Sequence, residues 1–254
     1  MFFMSEKERE RYMSFWEHLE ELRWVIFKSL AVIVVFSIVS TMFVNYLFEI
    51  FIAPLKVLIA HKTVILNQAG PFDGIFIKMK IGLLCGVILS MPFILIIIWG
   101  FISPALGQRE RKSFWWIFSS ISILFLIGVI GGYYSLFFIL PVLLSMGVES
   151  ADNIWRLNDY VSFLFYWVLS AGAIMELPLV MLVAVRLHFL NVETLKKWRP
   201  YAFLSLFIVS AVITADPISL IVLGIILYLL YEAGIFICSF QKRQKSDMVD
   251  QEDK

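Results

Sequence analysis

Charged residues are scarce in this chain. Asp, Glu, Lys and Arg make up 16% of its 254 residues, whereas soluble domains carry roughly 25%. Apolar residues make up 61%, which is more than one globular domain of this length can bury. This composition argues against a soluble enzyme and against a nucleic-acid-binding protein. The 21 basic and 20 acidic residues leave a net charge of +1, which excludes general polyanion binding.

Cysteine is rare, and catalytic motifs are missing. Cys85 and Cys238 both lie in apolar runs, and two such residues are too few for a disulfide framework or a metal site. The three histidines do not have the spacing of metal ligands. No phosphate-binding glycine loop, G-x-S-x-G or H-E-x-x-H motif is present. The sequence therefore predicts a protein that is not an enzyme and that holds no cofactor and no metal.

Long uncharged apolar runs take the place of the missing charges. A helix needs about 20 apolar residues to cross the hydrocarbon core of a bilayer. We therefore predict an all-α membrane protein, with one membrane domain over residues 1–240 and a polar cytoplasmic tail over residues 241–254. The six predicted transmembrane helices cover residues 24–48, 81–104, 113–141, 160–186, 200–215 and 217–238.

The distribution of basic residues predicts the orientation. Lys and Arg cluster before span 1, after span 2, after span 4 and in the C-terminal tail, whereas the loop after span 3 is acidic on balance. Because basic loops stay on the cytoplasmic side, both termini are predicted to be cytoplasmic.

Spans 5 and 6 are unusually short. Each offers about 15 or 16 uncharged residues, which cover about 24 Å of a core about 30 Å thick. Such helices oblige the bilayer to thin or draw polar groups inward, unless neighbouring helices shield them. Two pairs of small residues, Gly82 with Gly86 and Gly128 with Gly132, have the spacing that allows helices to approach closely.

An amphipathic helix is predicted over residues 5–23, at the cytoplasmic interface. Its apolar stripe would face protein or lipid, and its acidic stripe would be exposed. Acidic faces are unusual for lipid anchoring, which prefers Lys and Arg. The acidic stripe is either a solvated surface or a binding face for a cationic ligand such as a guanidinium. Its members are Glu10, Ser14, Glu17 and Glu21.

Two carboxylates lie inside predicted spans. Glu176 lies near the middle of span 4, two residues before Pro178. A carboxylate at that depth costs a few kcal/mol on insertion scales, so it either faces a polar cavity or partner, or is protonated and hydrogen-bonds a neighbouring helix for packing. Glu232 lies nearer the cytoplasmic end of span 6, where function and packing are both open.

Several short motifs follow one another along the chain. They are His18–Arg23, Ala53–Leu55, Pro71–Phe76, Trp99–Leu106, Arg109–Arg111, Gly172–Pro178, Arg199–Tyr201, Asp216–Ser219 and Tyr231–Gly234. In this order they resemble the motifs of the TatC family, the polytopic subunit of the twin-arginine protein translocase. The likeness covers about residues 14–240, nearly the whole chain. Here Asp73 stands where the family usually has Glu, and Ala171 and Met175 stand where it often has aromatic residues.

The resemblance implies a cup-shaped, six-span receptor in a bacterial cytoplasmic membrane. Such a receptor binds the Arg-Arg motif of signal peptides on folded proteins, associates with itself and with single-span TatA/TatB-type proteins, and uses the proton motive force. It implies signal-peptide binding at Glu21, Glu110, Arg23, Phe101 and Pro104. The remaining implied sites are an intramembrane partner contact at Glu176, Pro178 and Glu232 and an external cap at Pro54, Asp73 and Asp216.

One alternative belongs to another functional class. A proton-coupled small-molecule transporter would use Glu176 as its proton carrier. It predicts further buried ionisable groups along a path and an internal repeat, and the sequence shows no repeat. A purely structural scaffold is a third option.

Overall fold

The computed structural model describes residues 15–60, 64–68, 70–102, 108–145, 154–186, 189–213 and 217–252. For residues 15–17, 60, 102, 108–118, 218–219 and 241–252 the description covers the backbone alone. Nine helices and two short strands follow one another in these ranges. They are α1 (Phe15–Met42), α2 (Val44–Ala60), β1 (Ile65–Asn67), α3 (Asp73–Ile102), α4 (Gln108–Ser145), β2 (Ile154–Arg156), α5 (Leu157–Met175), α6 (Leu177–Arg186), α7 (Val192–Lys197), α8 (Arg199–Ile213) and α9 (Pro217–Glu252).

The predicted all-α membrane architecture is confirmed. Five helical segments of the described chain are long and apolar enough to cross a membrane, and α8 is a shorter apolar helix. At 1.5 Å per residue its 15 residues span about 22 Å. The count of six spans and their orientation stay predictions. The five segments are His18–Met42, Asp73–Phe101, Ser119–Ser145, Leu157–Arg186 and Leu220–Phe240.

The first span differs from the prediction at both ends. Helix α1 continues without a break from Phe15 to Met42, because no Gly or Pro interrupts that stretch. The described part of the predicted amphipathic helix is thus the beginning of the first span, and residues 5–14 lie outside the described residues. A turn at Phe43, whose N–H donates to the Ser40 carbonyl at 3.1 Å, separates α1 from α2.

Helix α3 begins at Asp73, eight residues before the predicted start of span 2. Pro71 lies in the turn that leads into it, where a missing N–H is harmless. The Asp73 carboxylate reaches back and accepts a hydrogen bond from the Gly70 N–H at 2.8 Å, as in a capping box. This cap explains why the polar residues Lys78 and Lys80 belong to the helix.

Both predicted glycine pairs lie where two helices approach closely. Gly82 and Gly86 of α3 contact Thr41 and Ser37 of α1. The two hydroxyl groups are satisfied within α1, because Ser37 donates to the Ile33 carbonyl at 2.7 Å and Thr41 donates to the Ser37 carbonyl at 2.8 Å. Polar side chains can therefore line this seam without leaving a donor exposed to lipid.

The second glycine pair lies between α4 and α5. A Cβ placed on Gly128 would lie 2.6 Å from the Ala171 carbonyl oxygen and 2.9 Å from the Gly172 Cα. A Cβ placed on Gly132 would lie 2.5 Å from the Cβ of Ala171. A side chain at either position would push the helices apart, so α4 and α5 depend on these glycines.

Two apolar clusters stabilise opposite ends of the bundle. The inner end is the one at which α1 begins and α3 ends, and the outer end lies opposite it. The larger, outer cluster joins α2 to the first half of α3, the second half of α4 and the first half of α5, with Leu55, Ile81, Leu136 and Leu164 fully buried. The smaller, inner cluster joins the end of α3 to α6, α7 and α9. Its buried members are Leu95, Met181, Leu182, Val192, Leu195, Tyr231, Ile235 and Cys238.

The contact between α4 and α5 provides a test with a matched control. Gly128→Ala should destabilise the protein by about 1–3 kcal/mol through overpacking. Gly131→Ala, on the same helix, should be tolerated because no atom lies within 4 Å of its added Cβ. Thermal unfolding in detergent measures both, and equal unfolding temperatures for the two variants would contradict the packing described here.

Candidate functional site

The inner face is the end of the bundle at which α1 begins, α3 ends and α4 begins. It is the face predicted to be cytoplasmic. His18 opens the first apolar span and Phe101 closes the second, so the two residues lie at the same interface. The described residues place Glu21, Arg23 and Phe101 on this face.

The amphipathic pattern predicts that Glu21 lies on an exposed stripe, but in the structure Glu21 is half-buried. The half-buried residues of α1 recur about every four positions at Glu21, Val25, Ser29 and Ile33, which marks the seam against α3. One carboxylate oxygen of Glu21, Oε2, is buried and has no hydrogen-bond partner among the described residues. The described residues of the predicted apolar stripe, Leu19, Leu22 and Ile26, are exposed, with Ile26 at 52%. Inside a bilayer the apolar side of a helix can face lipid, which reverses the rule for water-soluble helices.

Arg23 points away from this seam. Its guanidinium carbon lies 5.5 Å from the ring centroid of Phe27, a cation–π contact on the exposed side of α1. Among the described side chains it forms no ion pair with a carboxylate. A role in orienting carboxylates therefore stays a prediction.

Phe101 is stacked on His18. The ring centroids lie 4.4 Å apart and the planes differ by 15°, which joins the beginning of α1 to the end of α3. Pro104 lies outside the described residues. Glu110 is the third residue of α4, where the positive end of the helix dipole favours a carboxylate, and its side chain lies outside the described part.

Glu176 lies at the break between α5 and α6. Because Pro178 has no N–H to continue the ladder, the backbone tightens, and the Glu176 N–H donates to the Ala173 carbonyl at 3.2 Å. The helix is therefore interrupted at this point. Pro178 is buried against α9, with its Cα 3.2 Å from where a Cβ on Gly234 would lie.

The Glu176 carboxyl group is enclosed but unpartnered. The residue is 8% exposed, and both of its oxygens are buried without a hydrogen-bond partner on any side chain or backbone group that the structure describes. Its carboxyl group lies towards the backbone of Phe125 in α4 without reaching hydrogen-bond geometry. Among the described residues it is the one buried charged side chain, so the path of several ionisable groups expected of a proton-coupled transporter is not found there.

Glu232 has partners of its own. One carboxylate oxygen accepts a hydrogen bond from Arg199 at 2.7 Å, and the other accepts one from the Tyr228 hydroxyl at 3.1 Å. The ion pair joins the beginning of α8 to α9, and this contact favours the packing role that the sequence left open. Nearby, the Tyr231 hydroxyl donates to the Leu195 carbonyl at 2.8 Å and ties α9 to α7.

The outer face, at the opposite end, carries the predicted external cap. Pro54 is fully buried inside α2, and its ring deprives the Ile50 carbonyl of a helical donor. The Tyr133 hydroxyl of α4 donates to that carbonyl at 2.7 Å. The Tyr160 hydroxyl of α5 donates to the adjacent Phe51 carbonyl at 2.8 Å. Tyr133 thus supplies the donor that Pro54 removes, and Tyr160 adds a bond to the neighbouring carbonyl.

Asp73 belongs to a polar network between the outer loops. Its carboxylate accepts a hydrogen bond from the Asn158 side chain at 3.3 Å. Lys80 donates to the oxygen of Asn158 at 2.7 Å and to the Ser162 hydroxyl at 2.6 Å. The network fastens the beginning of α3 to that of α5. Asp216, the third predicted cap residue, lies outside the described residues.

A parallel ribbon joins the same two loops, and the sequence pattern did not predict it. β1 pairs with β2 so that Leu66 lies opposite Trp155, and both pack inward while their neighbours are exposed. Each strand has only three residues, too few for an alternating pattern to stand out. His18 was likewise missed as a site residue, although it lies one turn before Glu21.

The described residues contain no cluster of His, Cys, Asp and Glu that could hold a metal ion. The two cysteines are free and buried, one in α3 and one in α9.

Comparison with known proteins decides the family. The sequence profile described as Sec-independent protein translocase protein (TatC) matches residues 17–225. The chain belongs to the TatC family. The TatC of Carboxydothermus hydrogenoformans is 35% identical over 233 residues, which cover 91% of this chain and 94% of that protein. The TatC of Aquifex aeolicus is 31% identical over 238 residues, which cover 91% and 97%.

Solved TatC structures share the fold. A crystal structure of the twin-arginine translocase receptor TatC in DDM superposes on this chain with a TM-score of 0.79 at 32% identity, covering 87% of this chain and 99% of that one. This TatC chain is therefore a multi-pass membrane protein and a subunit of the twin-arginine translocase. The family does not favour the small-molecule transporter.

The tyrosine contacts at the outer cap are open to a direct test. Tyr160→Phe should leave the buried Phe51 carbonyl short of a donor and destabilise the protein by about 1–3 kcal/mol. Tyr166→Phe is the matched control, because Tyr166 lies on the same helix and is 65% exposed. Thermal unfolding in detergent distinguishes them, and an unfolding temperature unchanged by Tyr160→Phe would contradict this role.

Proposed function

We propose that this TatC-family chain is the receptor and core subunit of a twin-arginine translocase in a bacterial cytoplasmic membrane. On its inner face it binds the Arg-Arg motif of signal peptides carried by folded proteins. With single-span TatA/TatB-type partners, and in a complex with further copies of itself, it mediates export driven by the proton motive force. Membership of the TatC family supports this, as does the likeness to a protein described as the twin-arginine translocase receptor.

The observation that carries the proposal is the unsatisfied carboxylate of Glu21. Its buried oxygen has lost water and has no donor within the described part of the chain, a state that costs free energy until a donor arrives. An arginine guanidinium presents two parallel N–H groups and can satisfy both oxygens of one carboxylate. An ammonium group acts as a point charge and cannot form that fork.

The second arginine goes to Glu110. Helix α3 ends at Ile102 and α4 begins at Gln108, so Glu110 follows directly after the loop between them. The resemblance gives Phe101 and Pro104 the task of shaping that loop, and Arg23 that of orienting the carboxylates. Two acidic groups on neighbouring helix ends match a motif with two adjacent cations.

Glu176 serves a later stage of transport. We assign its carboxyl group to a polar contact with the inserted signal peptide or with a partner helix. A buried carboxyl group without a hydrogen-bond partner is costly in a bilayer, and a polar group from an incoming helix would relieve that cost. The short helix α8 would thin the bilayer locally and ease the approach of such a helix.

Glu21→Gln tests the receptor face. The substitution keeps the size of the side chain and removes its charge. The binding free energy for an Arg-Arg signal peptide should therefore become less favourable by about 1.5–3 kcal/mol. Glu20→Gln is the matched control, because Glu20 is the exposed neighbour in the same helix and should bind as the unchanged protein does. Peptide titration with the protein in detergent measures both.

The peptide side of the same assay needs its own control. A Lys-Lys peptide should bind more weakly than the Arg-Arg peptide, because its charge is the same but the fork is lost. Equal affinity for the two peptides, or unchanged affinity in both Glu21→Gln and Glu110→Gln, would rule out this receptor role.

Site-specific crosslinking tests the role of Glu176. A photoreactive group at Met175 or Leu179 should form adducts with the signal peptide or a partner helix during transport. Glu176→Gln, which still offers hydrogen bonds, should retain the adducts, and Glu176→Leu should lose most of them. A complete lack of adducts while cargo is being exported would refute this assignment.

A further inference from the structure

The contact between His18 and Phe101 is the last one along the seam between α1 and α3, at the inner face. The two helices run antiparallel, with Thr41 against Gly82 and Ser37 against Gly86. Further along lies Phe36 against Phe93, with ring centroids 4.9 Å apart. The parallel stack of His18 on Phe101, at 4.4 Å and 15°, comes last.

Glu21 lies on the seam just inside that stack. His18 precedes it by three residues, so the two side chains share one face of α1. An unpartnered carboxylate oxygen at a helix contact favours separation of the helices, because water entering the gap would hydrate it. The stack of His18 on Phe101 lies beyond it, at the place where a contact can hold the two helix ends together.

The seam against α3 continues after Glu21 through the half-buried Val25, Ser29 and Ile33, whereas the other described residues near the beginning of α1 are exposed. Leu19, Leu22 and Trp24 are exposed, at 41%, 38% and 57%, and Arg23 contacts a residue of its own helix. About 29 Å of helix separates His18 from the glycine contact at Ser37, so a tilt of α1 by about 5° around that contact would move Glu21 by about 2 Å.

We propose that His18 is a positioning residue, whose stack on Phe101 holds the beginning of α1 against α3 and so keeps the Glu21 carboxylate where it receives an arginine of the signal peptide. The role in peptide binding rests on the function proposed above. The stack itself, and the position of α1 that it maintains, do not depend on that function.

Two substitutions at His18 distinguish the effect of a stacked flat ring from that of the imidazole group itself. His18→Phe keeps a flat ring and should bind the Arg-Arg peptide within about twofold of the unchanged protein. His18→Leu keeps apolar volume but loses the stack, and the affinity should fall about two- to tenfold, the range that aromatic pairs contribute. Trp24→Leu removes an exposed aromatic residue elsewhere on α1 and should leave the affinity unchanged.

A distance measurement reports the position of α1 without any peptide. Spin labels at Glu20→Cys and Gly100→Cys place one probe on each helix, since Glu20 is exposed and no atom lies within 4 Å of a Cβ on Gly100. Cys85 and Cys238 are changed to alanine in this background. The distance distribution from electron paramagnetic resonance should stay narrow in His18→Phe and broaden in His18→Leu.

The two measurements together decide the matter. Lower affinity with a broader distance in His18→Leu, and neither change in His18→Phe, is the expected result. Unchanged affinity in His18→Leu would overturn the proposal, and so would lower affinity at an unchanged distance, because His18 would then act by touching the peptide. If the unchanged protein bound no Arg-Arg peptide, the receptor function would fail, and an unchanged distance in His18→Leu would overturn the positioning role separately.

Discussion

Every backbone hydrogen bond broken inside a bilayer has to be replaced by the protein itself, because hydrocarbon offers no donor or acceptor. This chain meets the constraint differently at two prolines, Pro54 inside α2 and Pro178 just after the break between α5 and α6. At Pro54 the freed carbonyl and its neighbour receive hydroxyl donors from two tyrosines on other helices. At Pro178 the Glu176 N–H donates to the carbonyl three residues earlier instead of four, but both oxygens of the Glu176 carboxyl group lack a partner among the described residues.

The two proline sites therefore differ in whether their polar groups are satisfied. The outer one is closed, because its polar groups are satisfied, the proline is fully buried and the surrounding loops are fastened by a ribbon and by the network around Lys80. At the site of Pro178, the Glu176 carboxyl group has no hydrogen-bond donor among the described residues. A proline site whose polar groups are all hydrogen-bonded stabilises the arrangement of its helices. A site with an unpaired carboxyl group is suited to a ligand or partner that brings the missing donor.

The same contrast holds along α1. Its outer half is packed against α3 through small residues whose hydroxyl groups bond within their own helix. Its inner end carries Glu21, held between the helix seam and the stack of His18 on Phe101. One buried oxygen of Glu21 has no partner in the described ranges. Rigid packing at the outer half thus positions an unsatisfied acid at the inner end, where the proposed cationic ligand arrives.

The sequence by itself determined the membrane character, the approximate spans, the short α8 and the close contacts at the two glycine pairs. These features depend on local composition and spacing, which a linear pattern records directly. Its motifs also resembled the correct family. Only the tertiary structure decided which face of α1 turns inward, since a helix in lipid can bury its polar side, and periodicity alone does not say which side meets protein. The partners of Glu232, the tyrosines behind Pro54, the three-residue ribbon and the ring stack at His18 join residues up to 109 positions apart. Such pairings arise when helices pack, and no spacing within a single helix encodes them.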